Sequence, residues 1–259
     1  MKIPFYQVDA FTNRIFSGNP AGVCLLEKWL EDKVLQSIAA ENYLPETAFL
    51  VPDGDGYKLR WFTPKVEIDL CGHGTLASGF VVMNCLRKNV ERVDFETKSG
   101  KLSVQRQGDL FVLDFPSRKP TVCKSPAQLS AILGRQPVET LCSRDLMAVF
   151  ENESQIRQLR PDFASMKALD YFAVIVTAPG DKSDFVSRFF APSAGIPEDP
   201  VTGSSHSTLI PYWSKRLGKK KLHALQLSQR GGELFCEDRG DRVSIGGHAA
   251  LYLIGTIQI

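Results

Sequence analysis

The 259-residue sequence has no long apolar run and no strong excess of charge of either sign. No stretch approaches the roughly 20 apolar residues that a bilayer-spanning helix needs. The formal net charge is +2, and the one basic cluster, residues 215–223, contains no interleaved aromatic residue. Nucleic-acid sites usually combine basic and aromatic side chains on one face. The composition therefore argues against a membrane partner and against a nucleic-acid partner.

Cysteine and histidine are present without the spacings that bind metals. The six cysteines form no C-x-x-C pair, and the four histidines form no H-x-H or H-x-x-x-H pair. We therefore expect no structural zinc site and no other metal. No G-x-x-x-x-G-K-[ST] or G-x-G-x-x-G motif is present, so we expect no nucleotide cofactor. Because the N-terminus does not resemble a signal sequence, reduced cysteines and a cytoplasmic location are expected.

The sequence does contain an internal repeat. "YKLRWFTP" (57–64) matches "FVSRFFAP" (185–192), "CGHGTL" (71–76) aligns with "TGSSHS" (202–207), and "SGKLSVQRQGDL" (99–110) matches "GGELFCEDRGDR" (231–242). Three blocks in one order, at offsets of 128, 131 and 132, indicate a duplicated unit. We predict an N-terminal half, 1–117, with the C-terminal strand 250–259 as a candidate addition to it. The C-terminal half is 118–249, and the active site is expected in the cleft between the halves.

Hydrophobic patterning predicts an α+β fold with two pseudo-symmetric halves. Short alternating segments separated by glycine turns are typical of mostly antiparallel strands. Residues 75–86 are apolar on all sides, which predicts a helix buried on every side. In the second half, "SSHSTLIPYWSKRL" occupies the same place, with Pro211 as a predicted kink. Each half is therefore expected to be a curved sheet around a central helix.

A glycine precedes each of the two central helices. Gly72 and Gly203 allow a tight turn, and the exposed N–H groups and dipole of such a helix end attract an anion. Two matching turns favour a site for a small carboxylate or a developing enolate. Ordinary helix capping by Thr75, Ser204 and Ser205 is the alternative.

Four separated segments resemble the signature segments of the phenazine-biosynthesis PhzF-like family. They are "DAFTNRIFSGNPAGV" (9–23), "NYLPETAF" (42–49), "CGHGT" (71–75) and "EDPVTGSS" (198–205), in the family's order across nearly the whole chain. The family shares the diaminopimelate-epimerase fold with the proline racemases. The resemblance therefore implies two β-barrel-like halves that each enclose a helix, and a homodimer.

The resemblance also implies a cofactor-independent isomerase that moves a proton on a small cyclic or amino carboxylic acid. The family's acid/base glutamate falls on Glu46, its site histidine on His73, and its aspartate and serine on Asp199 and Ser204. We expect Glu46, His73 and Asp199 to be catalytic, and the substrate to contact Gly72, Gly74, Gly203 and Ser204. Pro45 departs from the more usual "LSETAF" run, and we expect it to alter the turn that presents Glu46. Phenazine synthesis itself does not follow from the resemblance.

Simpler structural interpretations exist for Glu46 and Asp199, and for two other features of the sequence. Glu46 taken alone is a solvated turn residue, and Asp199, between two prolines, is an Asx-turn residue. His206 is interpreted as a packing residue, and Gly-Asn-Pro at 18–20 as a turn.

Two other functions compete with the isomerase. A racemase of the two-base type needs an acid and a base before the two equivalent glycines, where Cys71 and Thr202 stand. A threonine hydroxyl has a pKa far above that of a thiol, so this alternative is disfavoured. A non-catalytic module that binds a small molecule or a protein on the same fold is the third possibility.

Overall fold

The computed structural model describes all 259 residues. The chain divides into two compact units: unit 1 comprises Met1–Asp114 and Gly246–Ile259, and unit 2 comprises Phe115–Ile245. The fold is mixed α+β and rich in sheet, with few helices. None of its helices combines the length and the apolar character that crossing a membrane requires.

Seventeen strands and six helices make up the chain. The strands are β1 Lys2–Ala10, β2 Asn19–Leu25, β3 Glu46–Asp53, β4 Gly56–Phe62, β5 Glu67–Ile68, β6 Arg92–Thr97, β7 Gly100–Gln107, β8 Leu110–Pro116, β9 Thr121–Val122, β10 Glu139–Cys142, β11 Leu146–Val149, β12 Val174–Pro179, β13 Phe185–Phe190, β14 Lys221–Gln226, β15 Gly232–Asp238, β16 Arg242–Gly247 and β17 Ala249–Gln258. The helices are α1 Asp32–Asn42, α2 Gly72–Val81, α3 Leu129–Leu133, α4 Glu153–Gln158, α5 Phe163–Met166 and α6 Gly203–Leu217.

In unit 1 the strands pair in the order β17–β1–β2–β3–β4–β6–β7–β8. The pairs β2–β3 and β4–β6 are parallel and the others are antiparallel. The two end strands, β17 and β8, do not pair with each other, so this ladder is open. The prediction of a mostly antiparallel sheet is confirmed, although the sheet does not close.

Helix α2 is the buried helix of unit 1. All ten of its residues are buried, which confirms the buried helix predicted at 75–86 and places its start at Gly72. A π-helical turn, Val82–Leu86, continues it. A Cβ on Gly79 would stand 2.6 Å from Val104 Cβ on β7, so a glycine lets the helix lie close against the sheet.

In unit 2 the order is β9–β10–β11–β12–β13–β14–β15, with β11–β12 and β13–β14 parallel. Helix α6 corresponds to α2 in the repeat and runs without a break through Pro211, where a kink was predicted. Proline has no N–H to bond the carbonyl four residues earlier, which belongs to Ser207. The Arg118 N–H donates to that carbonyl at 2.8 Å, so the group is satisfied and the helix continues.

Each unit has its own hydrophobic core. In unit 1 a cluster forms where the apolar face of α1 packs on β3 through Leu35, Ile38 and Phe49. In unit 2 the short helices α3, α4 and α5 pack on β11, β12 and β13 through residues such as Leu133, Ile156 and Phe190. Burial of this apolar surface is the main favourable contribution to folding of each unit.

Candidate active site

Glu46 is the first residue of β3 and is only 6% exposed. Helix α1 ends at Asn42, with Tyr43 in the left-handed conformation at its C-cap, so the helix stops before Pro45 rather than at it. Parallel pairing with β2 fixes the strand, with Glu46 opposite Ala21. A carboxylate buried at the start of a paired strand is not the solvated turn residue that the local sequence alone suggests.

The side chain of His73 lies directly against this carboxylate. Its Nε2 is 2.7 Å from Oε2 of Glu46, and both side chains are more than 90% buried. The two residues are distant in sequence, and the strand start and the helix start bring them together. Burial alone would lower the pKa of His73, but Cys71 and Glu46 together hold that pKa well above its usual value. The pair is therefore a buried ion-pair contact between an acid and a base.

Cys71 is the N-cap residue of α2. The Gly74 N–H donates to its Sγ at 3.3 Å, and Sγ lies 3.6 Å from Nδ1 of His73. Burial is the largest influence on this thiol and raises its pKa, although His73 acts in the opposite sense. The thiolate is the reactive form of cysteine, so a raised pKa makes Cys71 a poor base or nucleophile near neutral pH. Its geometry fits a capping role.

Asn19 completes the surroundings of His73, a position that no sequence motif indicates. It is fully buried at the start of β2, and its Nδ2 lies 3.1 Å from Nδ1 of His73. Gly18 has a φ of +66°, and a Cβ there would meet the Ala10 carbonyl oxygen. Gly-Asn-Pro was interpreted as a turn only. The available signal was a small amide side chain between a glycine and a proline within a segment that carries the family resemblance.

Gly74 allows an aromatic ring to pack against the first turn of α2. A Cβ on Gly74 would lie 2.9 Å from Cδ1 of Trp61 and 3.0 Å from Sγ of Cys71. The indole Nε1 of Trp61 is buried and has no hydrogen-bond partner. Since Gly72 and Gly74 flank His73 in the first turn, the positive end of the helix dipole acts where the Glu46–His73 pair lies.

The predicted residues of the second repeat lie in unit 2, before α6. Asp199 is 8% exposed, and its Oδ2 accepts a short hydrogen bond from the Thr202 hydroxyl. Gln226 accepts from the Thr202 N–H at 2.8 Å and donates to the Asp199 carbonyl at 2.8 Å. Thr202 is the N-cap residue of α6, as Cys71 is of α2, and Gly203 and Ser204 begin the helix. The loop that holds Asp199 is thus fixed by a buried glutamine that no sequence motif indicates.

A salt bridge recurs before both glycine turns. In unit 1, Arg60 on β4 donates to the Glu67 carboxylate from Nε at 2.7 Å and from Nη2 at 2.9 Å. In unit 2, Arg188 on β13 binds Glu198 in the same way, at 2.7 and 3.0 Å. Bidentate pairs fix orientation as well as distance. The second pair holds the residue next to Asp199.

His206 is buried in α6, away from any ionised partner. Its Nδ1 lies 2.8 Å from the Thr202 carbonyl oxygen, and its Nε2 has no partner. Burial lowers its pKa to about 4, and the hydrogen bond to the Thr202 carbonyl acts in the opposite direction. The ring faces Phe185 at a centroid distance of 5.8 Å. These contacts support the interpretation of His206 as a packing residue.

One group of side chains has the donor atoms for a metal ion. The ligand-type atoms of Glu46, Cys71 and His73 all lie within 4.8 Å of one another. However, Asn19 and Glu46 already occupy the two ring nitrogens of His73, and the raised pKa disfavours the Cys71 thiolate. A metal needs a free imidazole nitrogen and a thiolate. The arrangement therefore suits proton transfer better than metal binding.

Comparisons with known proteins identify the family. A family model described as phenazine biosynthesis-like protein, PhzC-PhzF, matches residues 8–255. The chain belongs to the PhzC-PhzF family. An uncharacterized isomerase of Pseudomonas aeruginosa is 50% identical over 260 residues, covering 100% of both chains. The crystal structure of a PhzF-family protein of Enterococcus faecalis superposes with a TM-score of 0.98 at 48% identity, again covering 100% of both chains.

More distant structures share the fold of this PhzC-PhzF protein. A hydroxyproline epimerase of Agrobacterium vitis, solved with bound trans-4-hydroxy-L-proline, has a TM-score of 0.66 at 11% identity, covering 99% of this chain and 92% of that one. At this identity the likeness concerns the fold alone. The predicted family and fold class are therefore confirmed, and some of the relatives are named uncharacterized isomerases.

Proposed function

We propose that this protein is a cofactor-independent isomerase in which Glu46 takes a proton from one carbon of a small carboxylic acid and returns it to another. The observation that carries the proposal is the buried contact of 2.7 Å between the Glu46 carboxylate and Nε2 of His73. A carboxylate with a fixed proton-carrying neighbour suits general acid/base catalysis. The same number of protons enters and leaves, so the reaction needs no other reactant.

The start of α2 supports the same chemistry. Charge builds up on the substrate while the proton resides on Glu46, and the positive end of a helix dipole stabilises that charge. We propose that Gly72 and Gly74 present this helix end to the substrate. We propose a related role for Gly203 and Ser204 at the start of α6, and that Asp199 binds a polar group of the substrate.

The chemical class of the substrate is proposed from the fold neighbours. One neighbour was solved with trans-4-hydroxy-L-proline, and another is named a methylitaconate isomerase. Both names denote small carboxylic acids. We propose a cyclic or amino carboxylic acid of similar size for this protein, which agrees with the PhzF-like resemblance.

Hydrogen–deuterium exchange tests the proposal. The protein is incubated in D₂O with a panel that contains proline, trans-4-hydroxy-L-proline, methylitaconate and trans-2,3-dihydro-3-hydroxyanthranilate, and loss of C–H signals is followed by ¹H NMR. We expect exchange at one carbon of at least one compound. Glu46→Gln should slow it by about 10²–10⁴-fold, the usual contribution of a general acid/base. Glu41→Gln, at an exposed position of α1, is the matched control and should exchange at the wild-type rate.

Cys71→Ser separates this mechanism from the two-base alternative. Serine keeps an N-cap acceptor for the Gly74 N–H, so the helix start should be preserved. We expect exchange within a few-fold of the wild-type rate. If Cys71→Ser stops exchange while Glu46→Gln does not, the thiol is the base and the proposal is wrong. Tight binding of a panel compound without any exchange would support the binding-module alternative.

We also propose that the protein is a homodimer, on the basis of the family resemblance. Light scattering coupled to size-exclusion chromatography should then give twice the chain mass of 28.8 kDa. A mass of one chain at micromolar concentration would contradict this proposal.

A further inference from the structure

The ring of His73 is held at both nitrogens by residues from different strands. Glu46, at the start of β3, contacts Nε2 at 2.7 Å, and Asn19, at the start of β2, contacts Nδ1 at 3.1 Å. Cys71 is the one further titratable group in contact with the ring, at 3.6 Å from Nδ1. The contact with Glu46 explains how a proton could move to or from His73. The contact with Asn19 has no place in the proposed chemistry so far.

A primary amide differs from the other two partners because it both donates and accepts hydrogen bonds. The Asn19 NH₂ group can donate to Nδ1 when the ring is neutral with its proton on Nε2. A half-turn of the amide presents its oxygen instead, which accepts from an Nδ1–H when the ring is an imidazolium. A carboxylate at this position would serve only the second state, and an apolar side chain would serve neither.

We propose that Asn19 is a positioning residue whose amide hydrogen-bonds Nδ1 of His73 in both protonation states, so that the ring can gain and lose a proton beside Glu46. The fixed backbone supports this role. Asn19 pairs with Ala10 across β1 and β2, and Gly18 packs too close to the Ala10 carbonyl to accept a Cβ. The amide therefore stays at Nδ1 and changes only by rotation. The use of this device in proton transfer rests on the proposed isomerase function, but the hydrogen bond itself does not.

The pKa of His73, measured by NMR titration of ¹⁵N-histidine-labelled protein, tests the proposal. In Asn19→Asp, the carboxylate beside Nδ1 can accept a hydrogen bond but cannot donate one. It therefore favours the charged ring, and the pKa of His73 should rise above the wild-type value. Asn19→Leu puts an apolar side chain against Nδ1, which disfavours the charged ring more than the neutral one, so the pKa should fall below the wild-type value. Glu46 favours the Nε2–H tautomer of the neutral ring with or without Asn19. The Nδ1 nitrogen shift is therefore the second readout: it should show a hydrogen-bonded nitrogen on both sides of the wild-type titration and lose that signature in Asn19→Leu. A carboxylate raises the pKa of any neighbouring imidazole, so the loss of the Nδ1 hydrogen bond in both protonation states is the result that a purely structural asparagine would not produce.

Two controls complete the experiment. Asn84→Asp makes the same change of charge in unit 1 at a residue that accepts from Arg106, and it should leave the His73 titration unchanged. At a fixed pH, the imidazole NMR signals of His223 and His248 should keep their wild-type positions in every variant that retains the fold. If Asn19→Leu does not fold, Asn19→Ser, whose short hydroxyl does not reach Nδ1, replaces it and should also lower the pKa.

The proposal is overturned if His73 titrates identically in wild type, Asn19→Asp and the removal variant. Loss of proton exchange in the D₂O assay does not by itself decide it, because the NMR titration requires no substrate. If Glu46→Gln retains full exchange while the pKa order of the Asn19 variants is as expected, the proposed function fails and the role of Asn19 at His73 stands. If the pKa order is absent while Glu46→Gln abolishes exchange, the proposed role of Asn19 fails and the proposed function stands.

Discussion

Two buried histidines in this protein have opposite electrostatic surroundings. His73 faces the Glu46 carboxylate, which favours the charged ring, whereas His206 faces a carbonyl oxygen and aromatic rings. Their pKa values accordingly shift in opposite directions: that of His73 lies well above the usual value, and that of His206 falls to about 4. The surroundings of His73 therefore favour the protonated ring, whereas those of His206 favour the neutral ring.

These shifts make a prediction about stability and pH. A raised folded-state pKa contributes stability that is complete below the unfolded pKa of about 6.5 and is lost as pH rises through the folded value. The unfolding free energy of wild type relative to His73→Gln should therefore fall as pH rises above about 6.5. For His206 the sign is reversed, and the free energy relative to His206→Gln should fall as pH drops from about 6.5 towards 4.

Urea denaturation between about pH 5 and pH 9 measures both differences. Only the slope with pH is compared, so a constant loss of packing in either variant does not affect the result. Parallel curves for wild type and His73→Gln over the alkaline part of the range would show that His73 does not carry extra charge in the folded state. The two variants control each other because the expected slopes lie at opposite ends of the pH range.

The sequence predicted the identity of the candidate site residues only through the resemblance to a family. Glu46 and His73 come from different elements, and no local periodicity indicates that a strand start and a helix start meet. Asn19 was missed for the same reason, since a buried amide beside Gly18 is locally indistinguishable from a turn. Gln226, which fixes the Asp199 loop, comes from β14 and carries no motif. Such contacts depend on tertiary structure.

At the scale of elements, the internal repeat proved more informative than any single motif. It aligned Arg60 with Arg188, and the structure gives both residues the same bidentate partner, a glutamate shortly before the glycine turn. It also aligned Cys71 with Thr202, and both are N-cap residues of the buried helices. The buried character of α2 followed from composition alone. The parallel strand pairs and the open ladder could not be predicted, because alternation of apolar residues does not show which strands are neighbours.

The salt bridge between Arg188 and Glu198 leads to a prediction about the stability of the protein. Arg188 is 11% exposed and donates to both oxygens of Glu198 and to the carbonyls of Ile156 and Leu159, each at 3.1 Å. Lysine keeps the charge but cannot reproduce this planar set of donors. Arg188→Lys should therefore lower the unfolding free energy by about 1–3 kcal/mol, since it leaves buried acceptors unpaired.

Urea denaturation of Arg188→Lys is compared with that of Arg92→Lys. Arg92 also pairs with a carboxylate, that of Asp94, but both side chains are largely exposed. Exposed pairs contribute at most about 1 kcal/mol, so the control should change stability little. Equal effects of the two substitutions would mean that the Arg188–Glu198 salt bridge is no stronger than a surface ion pair.

The chain path of the whole molecule places both termini in unit 1. The strand β17 pairs with β1 from Ala249 opposite Ala10 to Gln258 opposite Lys2, so the chain leaves unit 1, forms unit 2 and returns. The N–H of Ile259 donates to the Met1 carbonyl at 3.0 Å. From the sequence, the C-terminal strand, 250–259, is a candidate addition to the N-terminal half.

This path predicts how the chain can be divided. A fragment that runs from residue 246 to 259, through a short glycine linker, and on from 1 to 114 restores the β17–β1 pair as a hairpin. We expect it to fold by itself, with dispersed amide NMR signals and a cooperative urea transition. Residues 1–114 alone lack β17 and leave β1 with an unpaired edge, so they should give neither. If 1–114 shows the same dispersed spectrum, the returning strand is not needed for unit 1. If neither fragment folds, unit 1 depends on unit 2 for its stability, although its residues form a compact unit.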